Sequence, residues 1–382
     1  MTNRQLLEII SCSLKNSIYK KPIANEKEVF KQAYENGLGA LLFGGLDKTL
    51  VSKTFYEQAE KMFFSYVHID NAQQALIKKI KQIFNNKRVK HIFLKGAHLK
   101  NLYPETYFRG MGDIDVLVLK EDLSKSRKLF KEAGFKTYSR SAEHDVYQFD
   151  RYYVEVHQNI YREFDKRKKD ILRKPWDNAV FVKDYEYRLD YTFEGLYLLY
   201  HLEKHVMHSG IGLRSVLDIP IFFNYYHSEI DDEILKFQLQ ETKLAQFFQT
   251  ILYLNKKAFK VDSPYLDKNF QLQEEDYYEI LNYLTISGIH GTGSDFNVMA
   301  PRLVKKSKIA TFSRMVFPKW ANMKEVYPWL KYLPFLLPIA YLLRGLRFLF
   351  LKTKYSISKI IKIKKADQEI EQLDSVFKKM GL

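Results

Sequence analysis

Apolar residues recur at spacings of three and four through residues 1–86, as at Phe55, Ala59, Phe63, Val67 and Ile69, with few Gly or Pro, so this stretch predicts helices. From Arg88 the period changes. Val89-Lys90-His91-Ile92-Phe93-Leu94 predicts a strand ending at Lys95-Gly96, and residues 97–103 predict a short helix stopped by Pro104. A loop through Arg109-Gly110-Met111-Gly112 leads into a strand over 113–119. Asp122 is placed to cap a helix over 123–133, which Gly134 closes. Strands near 145–149 and 152–160 follow, joined by a tight turn at Asp150-Arg151. Beyond Tyr191 the helical period returns over 193–208, 213–226 and 232–259. The pattern predicts an α/β (α+β) fold. A small mixed-sheet core at 87–190 is flanked by helical domains at 1–86 and 191–300, and a basic amphipathic region occupies 301–382.

With 382 residues the chain can bury a large core. Its one cysteine, Cys12, excludes an internal disulfide and a Cys-rich zinc site, which fits a reducing compartment. The N-terminus carries Arg4 and Glu8 and lacks the long apolar run of a signal peptide, so a cytoplasmic location is expected. The net charge of +16 is concentrated: residues 302–365 hold sixteen Lys/Arg against one acid, Glu325, a net +15. Such a region suits an anionic membrane surface, nucleic acid or an acidic partner. Its uncharged run at 332–343 is shorter than the ~20 residues a spanning helix needs, whereas aromatics and Lys/Arg at its edges suit an interfacial segment. Packing on the protein's own domain is the alternative.

Asp113-Ile114-Asp115 changes the picture most. Side chains at i and i+2 of a strand share a face, so the two carboxylates stand together while Ile114, Val116 and Val118 enter the core. Such a pair calls for a counter-charge, and Mg²⁺ or Mn²⁺ supplies one, since Mg²⁺ takes carboxylate oxygens and keeps water and phosphate as its other ligands. In Tyr153-Val154-Glu155-Val156-His157 the alternation sets Glu155 on one face, a candidate third carboxylate for two ions. Lys95-Gly96, between a strand end and a helix, offers backbone N–H groups and a cation to a triphosphate. Arg109 offers a second cation, and Gly110 with Gly112 would let the loop come close to phosphates.

Together, Leu94-Lys95-Gly96, Arg109, Asp113-Ile114-Asp115-Val116-Leu117-Val118, Gly134-Phe135 and Val154-Glu155-Val156-His157 resemble the uncharacterised nucleotidyltransferase family of the polymerase-β-like superfamily. The resemblance runs on through His201, His205, Arg214 and Asp218 into the Phe317-Pro318 and Tyr327-Pro328 region, from about residue 85 to 350. It implies that Asp113, Asp115 and Glu155 hold two Mg²⁺ or Mn²⁺ ions. It also implies an NTP substrate and a sugar, lipid-linked or protein acceptor. Lys95-Gly96 departs from the Gly-Ser of better-known superfamily members and removes a serine hydroxyl from the triphosphate grip.

Other residues carry two readings each. His201 and His205, i and i+4 on a helix, read as a helix-face or core pair before a zinc site. Arg214 and Asp218 have the spacing of an ion pair within one helix, and Arg214 alternatively faces the nucleotide. His157 orients the acceptor or a metal-bound water, or serves the strand alone. The Gly-rich stretch 288–293 reads as a turn. The leading function is transfer of an NMP from an NTP to a hydroxyl with release of pyrophosphate. The alternative is a non-catalytic nucleotide-binding module associated with a membrane or complex through 302–365. An RNA-directed transferase is a weaker fit, because no dedicated RNA-binding motif is present.

Overall fold

The alternation at 113–118 becomes a strand covered on both sides. A computed structural model describes residues 3–141, 144–161, 166–207, 210–288, 317, 320, 323, 326–351 and 367–382. Among these, seven strands form one mixed sheet: β1 (His91–Phe93), β2 (Asp113–Val118), β3 (Lys136–Arg140), β4 (His144–Phe149), β5 (Tyr152–His157), β6 (Ala179–Lys183) and β7 (Glu186–Leu189). Their order is β3-β4-β5-β2-β1-β7-β6, with β2 parallel to β5, β1 parallel to β7 and the other neighbours antiparallel. The fold is thus the expected mixed α/β type. Strands β3, β6 and β7 lie beyond the sequence expectation.

Four helices precede the sheet: α1 (Arg4–Leu14), α2 (Glu26–Glu35), α3 (Gly39–Gly44) and α4 (Lys53–Asn86). Three are interleaved with it: α5 (Gly96–Leu99), α6 (Leu123–Glu132) and α7 (Lys166–Leu172). Five follow: α8 (Tyr191–Val206), α9 (Leu213–Tyr225), α10 (Asp232–Glu241), α11 (Ala245–Phe259) and α12 (Glu274–Ser287). The expected single helix over 232–259 is therefore broken between Glu241 and Ala245. Among the described residues of the C-terminal part lie α13 (Leu337–Leu351) and α14 (Asp367–Met380). Gly134 closes α6 in the left-handed region at φ +86°, as expected, but the Asp122 side chain makes no capping hydrogen bond.

One face of the sheet packs under α4 and α6. Ile114, Val116 and Val118 of β2 and Val154 and Val156 of β5 join Leu76, Ile80, Phe84 and Phe130 in that layer, all buried. Complete burial of each such side chain contributes roughly 2 kcal/mol. A one-residue slip of β2 would expose these side chains and drive both aspartates into the apolar layer, so hydrophobic burial fixes the face on which the aspartates stand. On the opposite face Leu117 joins a larger core shared by α1 to α3 and α8 to α12. Helix α1 packs on α11, so the helices before and after the sheet share that core.

Helix α9 carries Arg214 and Asp218 and holds Pro220 in its interior. Proline has no N–H and leaves the carbonyl four residues earlier without its helical partner. Here that carbonyl belongs to Val216, and the buried Asn255 amide of α11 donates to it at 3.0 Å. The helix stays continuous and is tied to the core at that point. Gly195 of α8 permits the close approach of α9, since a Cβ there would lie 2.7 Å from Phe223 Cζ.

Most of the basic stretch 302–365, and the Gly-rich stretch beyond Gly288, lie outside the described residues. Among the described residues no helix is long and apolar enough to cross a membrane.

Candidate functional site

Parallel pairing of β2 with β5 sets Asp115 opposite Glu155 and Asp113 opposite Tyr153. Asp113, Asp115 and Glu155 therefore share a face, each offering an oxygen within 4.8 Å of the others. They line a cleft of about 830 Å³ between the sheet and helices α8 and α9, together with Lys95, His157, Tyr197, His201 and Arg214. The three carboxylates singled out in the sequence are thus brought together.

Lys95 sits at φ +49°, ψ −118°, a conformation that L-residues seldom adopt and that costs of order 1–3 kcal/mol. Neighbouring contacts hold it there. The next residue back, Leu94, donates its N–H to the Asp115 carbonyl at 3.0 Å, while Lys95 Nζ lies 2.7 Å from Asp115 Oδ1, with Tyr197 near enough to act on its charge. His157 Nε2 approaches the same Oδ1 at 2.8 Å. Asp115 thus has two protein counter-charges, a function the sequence reading gave to a divalent ion alone. Burial opposes ionisation of Asp115, yet Lys95 and His157 hold its carboxyl well below the usual range. Among the described residues Asp113 forms no ion pair. The Asp115 charge and burial push its carboxyl up to about 6. A carboxylate raised by a like charge is one that an added cation would relieve, so the residues present fit a divalent ion.

Glu155 is held on the other side. Burial pushes its carboxyl up, but the His157 hydrogen bond and the nearby His144 outweigh this and leave it below its ordinary value. His157 itself is raised, because its hydrogen bonds to Asp115 and Glu155 overcome the burial that would lower it. On the helical wall His201 and His205 meet edge to face, with ring centroids 4.4 Å apart. Burial, with Lys95 and His205 nearby, keeps His201 well below its ordinary value and therefore neutral at pH 7.

The arginines divide their work differently from the sequence expectation. Asp218 is not the partner of Arg214. It accepts two hydrogen bonds from Arg109, Nε to Oδ1 at 3.1 Å and Nη2 to Oδ2 at 2.7 Å, and a third from the Tyr103 hydroxyl at 2.9 Å. All three residues are buried. Arg109 crosses directly over Gly96, where a Cβ would lie 2.5 Å from its Nη1, so the glycine admits the guanidinium. Gly110 performs a similar service for α4, since a Cβ there would meet Tyr66 at 2.7 Å. Arg214 Nη1 donates to the Gly110 carbonyl at 2.7 Å, its buried Nε has no hydrogen-bond partner, and among the described residues it forms no ion pair.

His144 was not anticipated. Its strand was expected to start one residue later, and the register that sets His144 opposite His157 cannot be read from either strand alone. Tyr197 was also missed, as one apolar position among many on α8.

A family model described as an uncharacterised nucleotidyltransferase matches residues 23–260. The match begins in the N-terminal helices and ends earlier than the resemblance read from about 85 to 350. No curated protein matches the chain. A solved structure titled "tRNA-processing enzyme (apo form I)" is similar at 13% identity, with 79% of this chain and 97% of that chain covered and a TM-score of 0.24.

Proposed function

Because the chain belongs to the uncharacterised nucleotidyltransferase family, we propose that it moves an NMP from an NTP to a hydroxyl acceptor and releases pyrophosphate. The observation that carries this reading is the Asp115–Glu155 register, which with Asp113 gathers three carboxylates at the cleft. Asp113, Asp115 and Glu155 would hold Mg²⁺ or Mn²⁺, which when bound lowers the pKa of an attacking hydroxyl and neutralises the triphosphate and leaving group. Arg214, with an unpartnered Nε beside the cleft, is the residue best placed to take a phosphate oxygen. Lys95 stays protonated, since Asp115 and Tyr197 raise it against the effect of burial, and it delivers positive charge to the same spot. Arg109 is a positioning residue in this scheme: its pairing with Asp218 fixes the Arg109–Gly112 loop, and Gly96 and Gly110 let that loop seat closely. His157 holds Asp115 and Glu155 in place.

Incubation with each NTP labelled at the α-phosphate, Mg²⁺ or Mn²⁺ and a cell extract should transfer label to an acceptor and release pyrophosphate. Absence of both with all four NTPs and both ions would overturn the reading. One observation favours the non-catalytic alternative: the Lys95 ammonium already occupies the side of Asp115 on which a cation would act. Nucleotide binding by equilibrium dialysis without pyrophosphate release would select that alternative.

We further propose that the segment at 326–351 docks on an anionic membrane surface. Tyr332, Phe335 and Leu342 are 85%, 72% and 64% exposed, and they lie in the stretch of net charge +15. An apolar face that enters the headgroup boundary, with cations around it, is the signature of an interfacial segment. Flotation with phosphatidylglycerol vesicles should carry the protein upward, and F335D with L342D should abolish this; equal flotation of the variant would refute the docking.

A further inference from the structure

The active face carries a second group of ligands with different chemistry. His144 of β4 pairs in register with His157 of β5, and Glu155 precedes His157 by two residues, so all three side chains point to one side of the sheet. His144 Nε2 lies 3.6 Å from Glu155 Oε1 and His157 Nε2 lies 3.3 Å from Glu155 Oε2. The two imidazole rings are 5.0 Å apart, and one ligand atom from each of the three residues lies within 4.8 Å of the others. A cation bound at ~2.0–2.1 Å in a tetrahedral site separates its ligands by roughly 3.4 Å, so the two shorter gaps already match and only the imidazoles need to close up. All three residues line the cleft, with the His144 side chain 26% exposed and that of His157 11%.

We propose that His144, Glu155 and His157 form a site for a borderline first-row divalent cation such as Zn²⁺, distinct from the carboxylate-only group of Asp113, Asp115 and Glu155. Two imidazoles and a carboxylate suit Zn²⁺, whereas Mg²⁺ prefers oxygen ligands alone. Glu155 belongs to both groups and couples them. An ion on His157 Nε2 takes that nitrogen away from Asp115, leaving Lys95 as the counter-charge there. The site therefore sets how free Asp115 is to accept a hard cation. This binding is independent of nucleotidyl transfer and holds whether or not transfer occurs.

The test measures Zn²⁺ and Mg²⁺ on the full chain by equilibrium dialysis, with Co²⁺ absorption as the spectroscopic reporter. Expected is one equivalent of Zn²⁺ retained against a hundredfold excess of Mg²⁺, and a Co²⁺ visible spectrum of the intense tetrahedral type. His144→Ala should weaken Zn²⁺ by about a hundredfold, since even outer-shell changes cost ten- to hundredfold. Unaltered melting in EDTA would establish that this variant folds, and the milder His144→Gln serves if it does not. D113N should keep the Zn²⁺ and its Co²⁺ spectrum. Lack of stoichiometric Zn²⁺, or binding that survives His144→Ala and His144→Gln but falls with His201→Ala, would overturn the assignment. Failure of transfer with Mg²⁺ would strike the proposed function and leave this result untouched.

Discussion

Asp113→Asn and Asp115→Asn should each lower Mg²⁺-dependent pyrophosphate release by about a thousandfold, yet move stability in opposite directions. The activity loss corresponds to roughly 4 kcal/mol of charge stabilisation at ~1.4 kcal/mol per tenfold. For stability, the folded-state carboxyl of Asp113 is raised from 3.8 to about 6. Between these values the folded protein binds more protons than the unfolded chain, so this group's contribution falls as pH rises from about 4 to 6 and stays low above that. Asp113→Asn removes the penalty and should stabilise the ion-free protein by about 3 kcal/mol at pH 8, with no gain at pH 3.5. Asp115 has the opposite sign, because its folded-state carboxyl is lowered by Lys95 and His157. Its contribution is present above the unfolded value near 4 and is lost as pH falls below it. Asp115→Asn leaves the Lys95 ammonium enclosed beside a neutral amide and should destabilise by about 3 kcal/mol at pH 8. Melts in EDTA at both pH values, with pyrophosphate assays in Mg²⁺, check the pair. A parallel shift in both variants would refute the unequal charging of the two aspartates.

Arg109→Ala should be the more damaging of two arginine truncations to the fold, and Arg214→Ala the more damaging to nucleotide affinity. Removal of Arg109 strands the buried Asp218 carboxylate with the Tyr103 hydroxyl alone, and breaking a buried pair from one side costs about 3–5 kcal/mol. Arg109→Lys should recover little, because an ammonium cannot reproduce the two parallel hydrogen bonds. Arg214 loses only one hydrogen bond to a carbonyl, so its truncation should leave the melt within about 1 kcal/mol of the parent. NTP affinity should fall by about ten- to hundredfold, the equivalent of one charge-assisted contact. Urea unfolding and equilibrium dialysis of NTP distinguish the two. If Arg109→Ala unfolds at the parental midpoint, the Asp218 pair does not hold the loop.

The features that were legible in the sequence are those with a strong local period. Asp113-Ile114-Asp115-Val116-Leu117-Val118 announces a buried strand with two acids on one face, and the Val154-Glu155-Val156 alternation supplies a third. Strand β3, Lys-Thr-Tyr-Ser-Arg, is exposed along its whole length and has no apolar alternation to betray it. Strands β6 and β7, of five and four residues, are too short for a period to stand out. Pairings across long stretches of chain were equally hidden. Nothing near Arg109 indicates that its partner lies 109 residues later, so Asp218 was assigned to the basic residue one helical turn away. The strain at Lys95 also escaped, since local composition does not reveal that a lysine occupies a turn conformation better suited to glycine.

The shared core of the first and last helices bears on how the protein is made. Asn36, fully buried after α2, donates to the Thr285 carbonyl of α12 and accepts from the Leu213 N–H, contacts that span 249 and 177 residues. While the chain emerges from the ribosome, α1 to α4 can pack on one another, but the side of α1 that meets α11 and the Asn36 amide that meets α12 wait for the late helices. Folding rate falls as contacts become less local, and such intermediates aggregate readily. A nascent chain that halts before residue 285 leaves Asn36 without one acceptor and the early helices without their final cover, which makes the N-terminal segment a natural place for a chaperone to hold.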